Sequence, residues 1–248
     1  MYIEGTLWRC KKSSCRRTKS IFRDTIFENS GVSPNVIMES AYHWLNDNSH
    51  KQIMRITSLS EKTVTSLLSK FRALVSGDIQ DRDSQIGGPG IVVEIDETAF
   101  GKRKYGVGRI VKETWVFGGV ERTPERRMFA RVVSDRSAKT LLEDISECIA
   151  PGSIVYSDGW AAYNKIKKKL KLEHGTVNHS KNFKDPETGV HTNTIEGNWG
   201  GIKVKICPSN RSQDRMQGHL NERIWKRQNE DHLWDAFIKC TKQYAVIN

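Results

Sequence analysis

The sequence lacks any long apolar run, and none approaches the roughly 20 residues that a membrane-spanning helix needs. The N-terminus also lacks the apolar core of a signal peptide. These absences predict an intracellular protein without a membrane partner. With 37% hydrophobic and 28% charged residues, the 248-residue chain has the composition of a folded globular protein, which excludes a disordered one.

Cysteine is scarce: the chain has five, and only Cys10 and Cys15 are close together. An odd, scattered set without a secretory signal predicts reduced thiols. A closed zinc site takes four ligands, commonly as two such pairs, and no second Cys or His pair lies nearby. We therefore expect no zinc site in this chain as it stands.

Acidic residues are outnumbered, with 29 Asp and Glu against 40 Lys and Arg, which gives a net charge of +11. The basic residues concentrate in residues 1–23, 163–184 and 202–227, and the rest of the chain is net acidic. Basic segments in an otherwise acidic chain favour a protein that binds a nucleic acid close to carboxylates. The alternative is that the basic residues only keep helix faces soluble.

Before residue 91 the chain divides into three parts. Residues 1–30 are basic, and their few apolar residues either form a short hairpin or pack on the next unit. Residues 31–76 have helical apolar spacing, with Pro34 in a first turn and Ser60 as an N-cap. Two short helices, a turn and a last helix resemble a helix-turn-helix, which makes Lys62 a DNA-binding candidate; generic three-helix packing is the alternative. Residues 77–90 are rich in Gly and polar residues and are predicted to be a linker.

Residues 91–248 carry strand-like runs and helical patterns in mixed order. Strands are predicted at 91–98, 113–120, 126–133 and 152–160, a helix at 137–149, and further helices after residue 160, mainly over 213–246. This order predicts a mixed α/β sheet covered by helices.

Two of the predicted strands end on acidic residues, Asp96 and Asp158. A carboxylate in a buried strand is costly unless it is paired or binds a metal ion. Glu196, at the start of a predicted helix, is the candidate third acid, and hard oxygen ligands select Mg²⁺ or Mn²⁺. The alternatives are that Asp158 only forms a turn and that Glu94 or Glu97 takes the place of Asp96. Strand alternation puts Glu94 on the same face as Asp96.

Four blocks of sequence resemble, in order, the DDE transposase of Merlin-type elements and their bacterial insertion-sequence relatives. They read IVVEIDETAFGKRKYG, IVYSDGWAAYN, VNHSKNFKDPETGVHTNTIEGNWGGIK and HLNERIWKR, and the resemblance covers about residues 91–230. It implies a ribonuclease-H-like fold and a metal-dependent transesterase that cuts and joins double-stranded DNA at transposon ends and in the target. The upstream part is similar to the second half of that family's N-terminal zinc ribbon, running into a helical DNA-binding unit.

Transferred to this sequence, the resemblance implies that Asp96, Asp158 and Glu196 bind two Mg²⁺ or Mn²⁺ ions, with Asn193 as the alternative third residue. DNA-contact candidates are Lys203, Lys205 and His179. The resemblance also implies a homo-oligomer on DNA and a DNA-associated location, nuclear in a eukaryotic host. The first cysteine pair of the ribbon is missing, so we expect either a truncated chain or a copy that has lost its start. A transposase-derived DNA-binding protein without catalysis is the alternative function.

Overall fold

The computed structural model describes residues 2–4, 7–15, 17–81, 85–101, 113–178, 184–186 and 188–244. They cluster into two compact units, Met1–Asp78 with Asn229–Asn248 and Ile79–Gln228. The predicted division put all of 91–248 into one catalytic domain, whereas here the last stretch clusters with the first unit. The physical reason is the fully buried Phe237 ring, which lies 5.9 Å from Trp44 and 5.5 Å from Phe71.

The first unit is built on four helices: α1 (Pro34–Leu45), α2 (His50–Thr57), α3 (Glu61–Asp81) and α8 (Leu233–Tyr244). Pro34 stands in the first turn of α1. The Ser60 hydroxyl accepts a hydrogen bond from the Thr63 amide, which places the N-cap of α3 where the sequence predicts it. Helix α3 continues to Asp81, inside the segment predicted to be a linker.

The N-terminal segment forms a three-stranded sheet of β1 (Tyr2–Glu4), β2 (Leu7–Arg9) and β3 (Thr18–Ser20). Phe27, which follows it, is buried and stacks at 6.3 Å on Phe71 of α3, so this segment packs on the helices. Cys10 and Cys15 lie in the connection between β2 and β3. Hydrogen bonds from the Lys12 backbone and then from Cys15 lower the pKa of the Cys10 thiol.

The second unit is a five-stranded mixed sheet with the strand order β10-β9-β5-β6-β7. Its strands are β5 (Val92–Phe100), β6 (Thr114–Glu121), β7 (Met128–Val133), β9 (Ile154–Asp158) and β10 (Glu173–Val177). Strands β5, β6 and β7 form an antiparallel meander, and β9 and β10 add on parallel to β5. The short strands β4 (Ile86–Gly87) and β8 (Ile149–Ala150) pair separately.

Helices cover both faces of this sheet. Helices α4 (Ala138–Cys148) and α5 (Ile166–Leu170) enclose one apolar core with Ile95 and Phe117. Helices α6 (Asn193–Lys205) and α7 (Gln213–Gln228) enclose the other with Phe100 and Val116. The predicted mixed α/β sheet is therefore confirmed. Within the described ranges, no helix is both long and apolar enough to cross a membrane.

Strand β10 is an element that the sequence did not predict. Its five residues include one buried apolar side chain, Val177, and it pairs with β9 alone at the edge of the sheet. An edge strand that contributes little to the core carries little hydrophobic pattern.

At the opposite edge, the side chain of Gln217 in α7 covers strand β7. Its Oε1 accepts a hydrogen bond from the Val132 amide at 2.9 Å, and its Nε2 donates to the Ala130 carbonyl at 3.0 Å. These are the two kinds of backbone group that a sixth strand would otherwise pair with.

Gly118 in β6 allows α6 to approach the sheet closely. A Cβ atom at this position would lie 2.6 Å from Cη2 of Trp199 and 2.7 Å from the carbonyl oxygen of Phe129. The Phe129 oxygen belongs to the neighbouring strand and cannot turn away as a side chain can. A residue without a side chain is thus required where α6 packs on the sheet.

We expect Gly118→Ala to lower the free energy of unfolding by about 1–3 kcal/mol because it overpacks this contact. The matched control is Gly197→Ala in α6, where a Cβ atom would have no neighbour within 4 Å among the described residues. Because Ala has the higher helix propensity, the control should gain about 0.5–1 kcal/mol. Urea unfolding of both variants measures the difference, and equal midpoints would contradict the close approach.

Candidate active site

Asp96 and Asp158 lie at the same end of the central sheet. Strands β5 and β9 are parallel neighbours whose last paired residues are Glu94 and Tyr156. Each aspartate follows two residues beyond that pair on its own strand. The parallel register thus places two carboxylates that are 62 positions apart in the sequence just beyond the end of the β5–β9 pairing.

Asp96 sits in an environment that disfavours its charge. Burial, and then the nearby charges of Glu97, Asp158 and Glu196, raise the pKa of Asp96 to about 7, although a hydrogen bond from the Glu97 backbone acts in the opposite direction. These contributions mean that the carboxylates of Asp158 and Glu196 are close enough to Asp96 to repel it. A buried, crowded carboxylate of this kind is stabilised by a cation.

The third acid, Glu196, comes from the first turn of α6. Its exposed side chain accepts a hydrogen bond at 3.0 Å from the Thr192 hydroxyl. The alternative residue, Asn193, stands one turn earlier in the same helix. Its Oδ1 atom is buried and has no hydrogen-bond partner in the described part of the chain. Both candidates thus lie in the first turn of α6, the helix whose Trp199 is bonded to Asp96.

These side chains fit a divalent cation by the chemistry of their donors. Carboxylate and amide oxygens are the hard ligands that Mg²⁺ and Mn²⁺ prefer. Taking only the residues that the structure describes, no three His, Cys, Asp or Glu side chains are grouped tightly enough to hold a metal ion as they stand. One carboxylate oxygen of Glu196 accepts the hydrogen bond from Thr192.

Trp199 connects α6 directly to Asp96. Its indole Nε1 donates a hydrogen bond to Asp96 Oδ2 at 3.1 Å, and the side chain is only 3% exposed. The space for this indole is the one left open at Gly118. Trp199 therefore anchors α6 in the core and also orients one oxygen of Asp96.

We expect Trp199→Phe to weaken binding of Mn²⁺ at this site by about 10–100-fold, because a ligand-orienting hydrogen bond is lost while most of the packing stays. The loss should appear as a higher metal concentration for half-maximal binding. Trp44→Phe is the matched control, since Trp44 is equally buried and lies in the other unit. An unchanged metal requirement in the Trp199 variant would contradict the assignment.

The carboxylate of Glu94 forms hydrogen bonds to the N-terminus of α6. The fully buried carboxylate accepts hydrogen bonds from the Thr194 amide at 2.8 Å, the Ile195 amide at 3.1 Å and the Thr194 hydroxyl at 2.8 Å. An acid at this position satisfies amides that have no partner within the helix and favours the helix dipole. Glu94 thereby fixes the turn that carries Asn193 and Glu196.

Arg122 balances the charge of Glu94. Its Nε atom donates to Glu94 Oε1 at 2.6 Å, and its Nη2 atom donates to the carbonyl oxygen of His191 at 2.8 Å. The guanidinium therefore joins the buried acid to the segment that enters α6. Sequence alternation had placed Glu94 on the face of Asp96, and the structure agrees.

Glu97, the competitor of Asp96, points to the opposite face of the sheet. Burial raises the pKa of Glu97, whereas the Tyr163 hydroxyl and the charge of Arg136 act against that rise. Tyr163 is itself completely buried, and burial raises the pKa of its phenol well above the ordinary value. Glu97 is therefore close to Asp158 but faces a different set of partners from Asp96.

The DNA-contact candidates occupy different settings. Lys203 donates a hydrogen bond to the Thr98 hydroxyl and lies 5.5 Å from the centre of the Phe100 ring, so it packs against β5. Burial lowers the pKa of its ammonium group. Lys205 and Lys62 are exposed, and His179 lies outside the described residues.

Residues 85–228 match the sequence pattern of the ISXO2-like transposase domain. The match spans more than half of the chain and includes every acidic residue described above. The chain belongs to the ISXO2-like transposase family. This confirms the resemblance read from the sequence blocks. A search of curated proteins found no match.

Two solved structures resemble this transposase weakly. The crystal structure of the Mos1 strand transfer complex has a TM-score of 0.35 and 11% identity, over 88% of this chain and 81% of that chain. A pre-cleavage Mos1 transpososome has a TM-score of 0.25 and 8% identity, over 88% and 82% of the two chains. The family assignment rests on the sequence match alone.

Several residues at the site of this transposase were not predicted from its sequence. Arg122 and Thr194 bind Glu94, and Tyr163 faces Glu97. One signal was available for Arg122: Glu94 stands between Val93 and Ile95 in a buried strand, and a buried acid needs a donor. Which donor it would be depends on the pairing of strands, which a single sequence does not give.

Proposed function

We propose that this chain is an active DDE transposase, which cuts DNA at the ends of a transposable element and joins those ends to a target. The observation that carries the proposal is the position of Asp96 and Asp158, each two residues beyond the last pair of the parallel strands β5 and β9, with Trp199 of α6 bonded to Asp96 and Glu196 in the first turn of the same helix. A chain of a transposase family that carries acids at these three positions fits a catalytic role better than DNA binding alone.

The architecture supports a ribonuclease-H-like catalytic domain within this proposal. A three-stranded antiparallel meander, continued by two parallel strands with helices on both faces, is the arrangement that such a domain requires. We take Ile79–Gln228 as its compact body. Helices α1 to α3 would form the helix-turn-helix unit, in which Lys62 would face DNA from the start of α3.

In this mechanism Asp96 presents an oxygen from the middle of β5, Asp158 one from the end of β9, and Glu196, or Asn193 in its place, one from α6. Two Mg²⁺ or Mn²⁺ ions bound there would supply activation of the attacking oxygen and stabilisation of the leaving oxygen. The protein itself keeps the acids in place: Trp199 orients Asp96, and Glu94 with Arg122 holds α6.

The reaction has two displacements at phosphorus. Water attacks a phosphodiester at the element end, and the bond to the 3′ oxygen breaks to leave a free 3′-hydroxyl. That hydroxyl then attacks a phosphodiester of the target, whose own 3′ oxygen leaves. No covalent bond to the protein is required, so no Ser or Tyr nucleophile is assigned. Two ends must be held together, so we propose that a homo-oligomer acts on DNA.

The test uses the full chain and duplex DNA that carries the inverted repeats flanking the gene. We expect strand cleavage with Mg²⁺ or Mn²⁺ and none in EDTA, followed by joining to a target plasmid. The second candidate function is a transposase-derived DNA-binding protein, which would bind the same repeats equally well with and without metal but leave them uncut. Binding without cleavage under all metal conditions would therefore overturn the catalytic proposal.

A further inference from the structure

An exposed tryptophan stands directly beside the candidate site. Trp160 follows Asp158 by two residues, and 43% of its surface is exposed. On the face of the sheet that carries Glu97, the guanidinium of Arg136 lies 3.8 Å from the ring centre of Trp115 and 5.2 Å from that of Trp160. The three side chains form a stack, which we call the Trp160 stack, with an indole at its outer end.

The backbone under Trp160 is fixed at both ends. Its amide donates a hydrogen bond to Asp158 Oδ1 at 2.9 Å, and its carbonyl accepts one from the Tyr163 amide at 3.0 Å. Tyr163 is completely buried, so this turn is anchored in the core. An indole held in this way loses little conformational freedom when it binds a ligand.

The turn that carries the indole is also joined to the candidate ligand Asp158 by the hydrogen bond from the Trp160 amide. A scissile phosphate held at Asp158 would lie next to the turn that carries Trp160, because the Trp160 amide is bonded to the Asp158 carboxylate. Arg136 adds a positive charge behind the indole, close enough to Glu97 to act on its ionisation. A flat aromatic face with a guanidinium next to it suits a nucleobase and its phosphate.

We propose that the Trp160 stack binds an unpaired DNA base next to the scissile phosphate, with the base on the outer face of Trp160 and a phosphate near Arg136. This site rests on the proposed function, because it assumes that DNA binds at the end of β9 that carries Asp158. It assigns to the chain a contact with single-stranded DNA in addition to the duplex contacts proposed for Lys62 and Lys205. It also predicts a preference for DNA whose end has opened.

The test compares two DNA probes in EDTA, so that binding is measured without cleavage. One is a blunt duplex, and the other is the same duplex with a single-stranded extension of about four thymidines, the short end of known single-strand sites. The ratio of the two affinities isolates the contribution of the unpaired bases from that of the duplex. We expect Trp160→Ala to lower this ratio by about 5-fold or more, since stacking contributes about 1–3 kcal/mol per base.

Two further substitutions at Trp160 separate stacking from packing. Trp160→Phe keeps a flat ring and should retain most of the preference, whereas Trp160→Leu keeps apolar volume and should lose it. Trp234→Ala is the control, because that indole is 37% exposed and lies in the other unit. Arg136→Ala should reduce the slope of log affinity against log salt for the extended probe by about 0.7, the value for one phosphate on a single strand.

Three outcomes would overturn the proposal: no preference of the unmodified chain for the extended probe, an unchanged ratio in Trp160→Ala, or equal ratios in the Leu and Phe variants. The last would mean that the side chain only packs against the turn. None of these results bears on the catalytic proposal, which is decided by cleavage of the element ends with metal.

Discussion

Asp96→Asn and Asp158→Asn are each expected to reduce metal-dependent cleavage of the element ends by at least about 1000-fold. Each variant replaces a charged donor by a neutral amide of the same shape, and metal assistance in phosphodiester chemistry contributes several kcal/mol. Binding to the uncut ends should stay within a few-fold of the unmodified chain. The measurement is single-turnover cleavage of a labelled duplex with Mn²⁺, beside a binding assay in EDTA.

The control for this pair is Glu97→Gln. Glu97 neighbours Asp96 in sequence but faces Tyr163 and Arg136 on the other side of the sheet. Its loss should therefore reduce cleavage much less than the loss of Asp96. If Glu97→Gln is the inactive variant and Asp96→Asn still cuts, the assignment of the first acid is wrong.

The same assay decides the third residue. If Glu196 completes the site, Glu196→Gln should be as defective as the aspartate variants, and Asn193→Ala should remain active. The reverse pattern would identify Asn193, whose buried Oδ1 lacks a hydrogen-bond partner among the described residues. Both substitutions lie in the first turn of α6, so they share the same structural background.

The second large effect is expected at Glu94. Glu94→Gln should lower the free energy of unfolding by about 3–5 kcal/mol, because breaking a buried pair leaves Arg122 without its charge partner. It should also weaken the hold on the amides of Thr194 and Ile195, so that cleavage falls in whatever fraction of the protein stays folded. Denaturant unfolding and cleavage by the folded variant at low temperature measure the two consequences separately.

Glu147→Gln is the matched control for Glu94. Glu147 also bonds to an arginine, Arg131, but its side chain is 63% exposed. An exposed pair contributes about 0–1 kcal/mol, so this variant should unfold close to the unmodified chain. Equal destabilisation by the two substitutions would show that burial of Glu94 is not what makes its pair important.

The sequence predicted the elements whose side chains repeat regularly. The apolar strand that contains Asp96, the helix that ends at Cys148, the first-turn Pro34 and the N-cap Ser60 are all local patterns, and the structure has them. The strand itself continues past Asp96 to Phe100. Edge strand β10 was not predicted, because it buries little and its pairing with β9 is the main reason it is extended.

At the candidate site, the two aspartates could be predicted from the sequence, but the residues that contact them could not. Asp96 and Asp158 stand out because each interrupts a buried strand, and their neighbourhood follows from the parallel register. The contacts that hold them come from residues about 100 positions away, such as the bond from Trp199 to Asp96 or from Thr194 to Glu94. Such long-range pairs produce no periodic pattern in a single sequence, so the partners could be identified only from the structure.

The amide of Gln217 has a consequence for assembly. Because it occupies the amide of Val132 and the carbonyl of Ala130, strand β7 offers no free backbone row there for a second copy to extend the sheet. Exposed strand edges are also where sheets aggregate, so this one side chain prevents pairing with another copy at that part of β7. The homo-oligomer proposed above would therefore form through a contact other than β-augmentation at Ala130 and Val132 of β7.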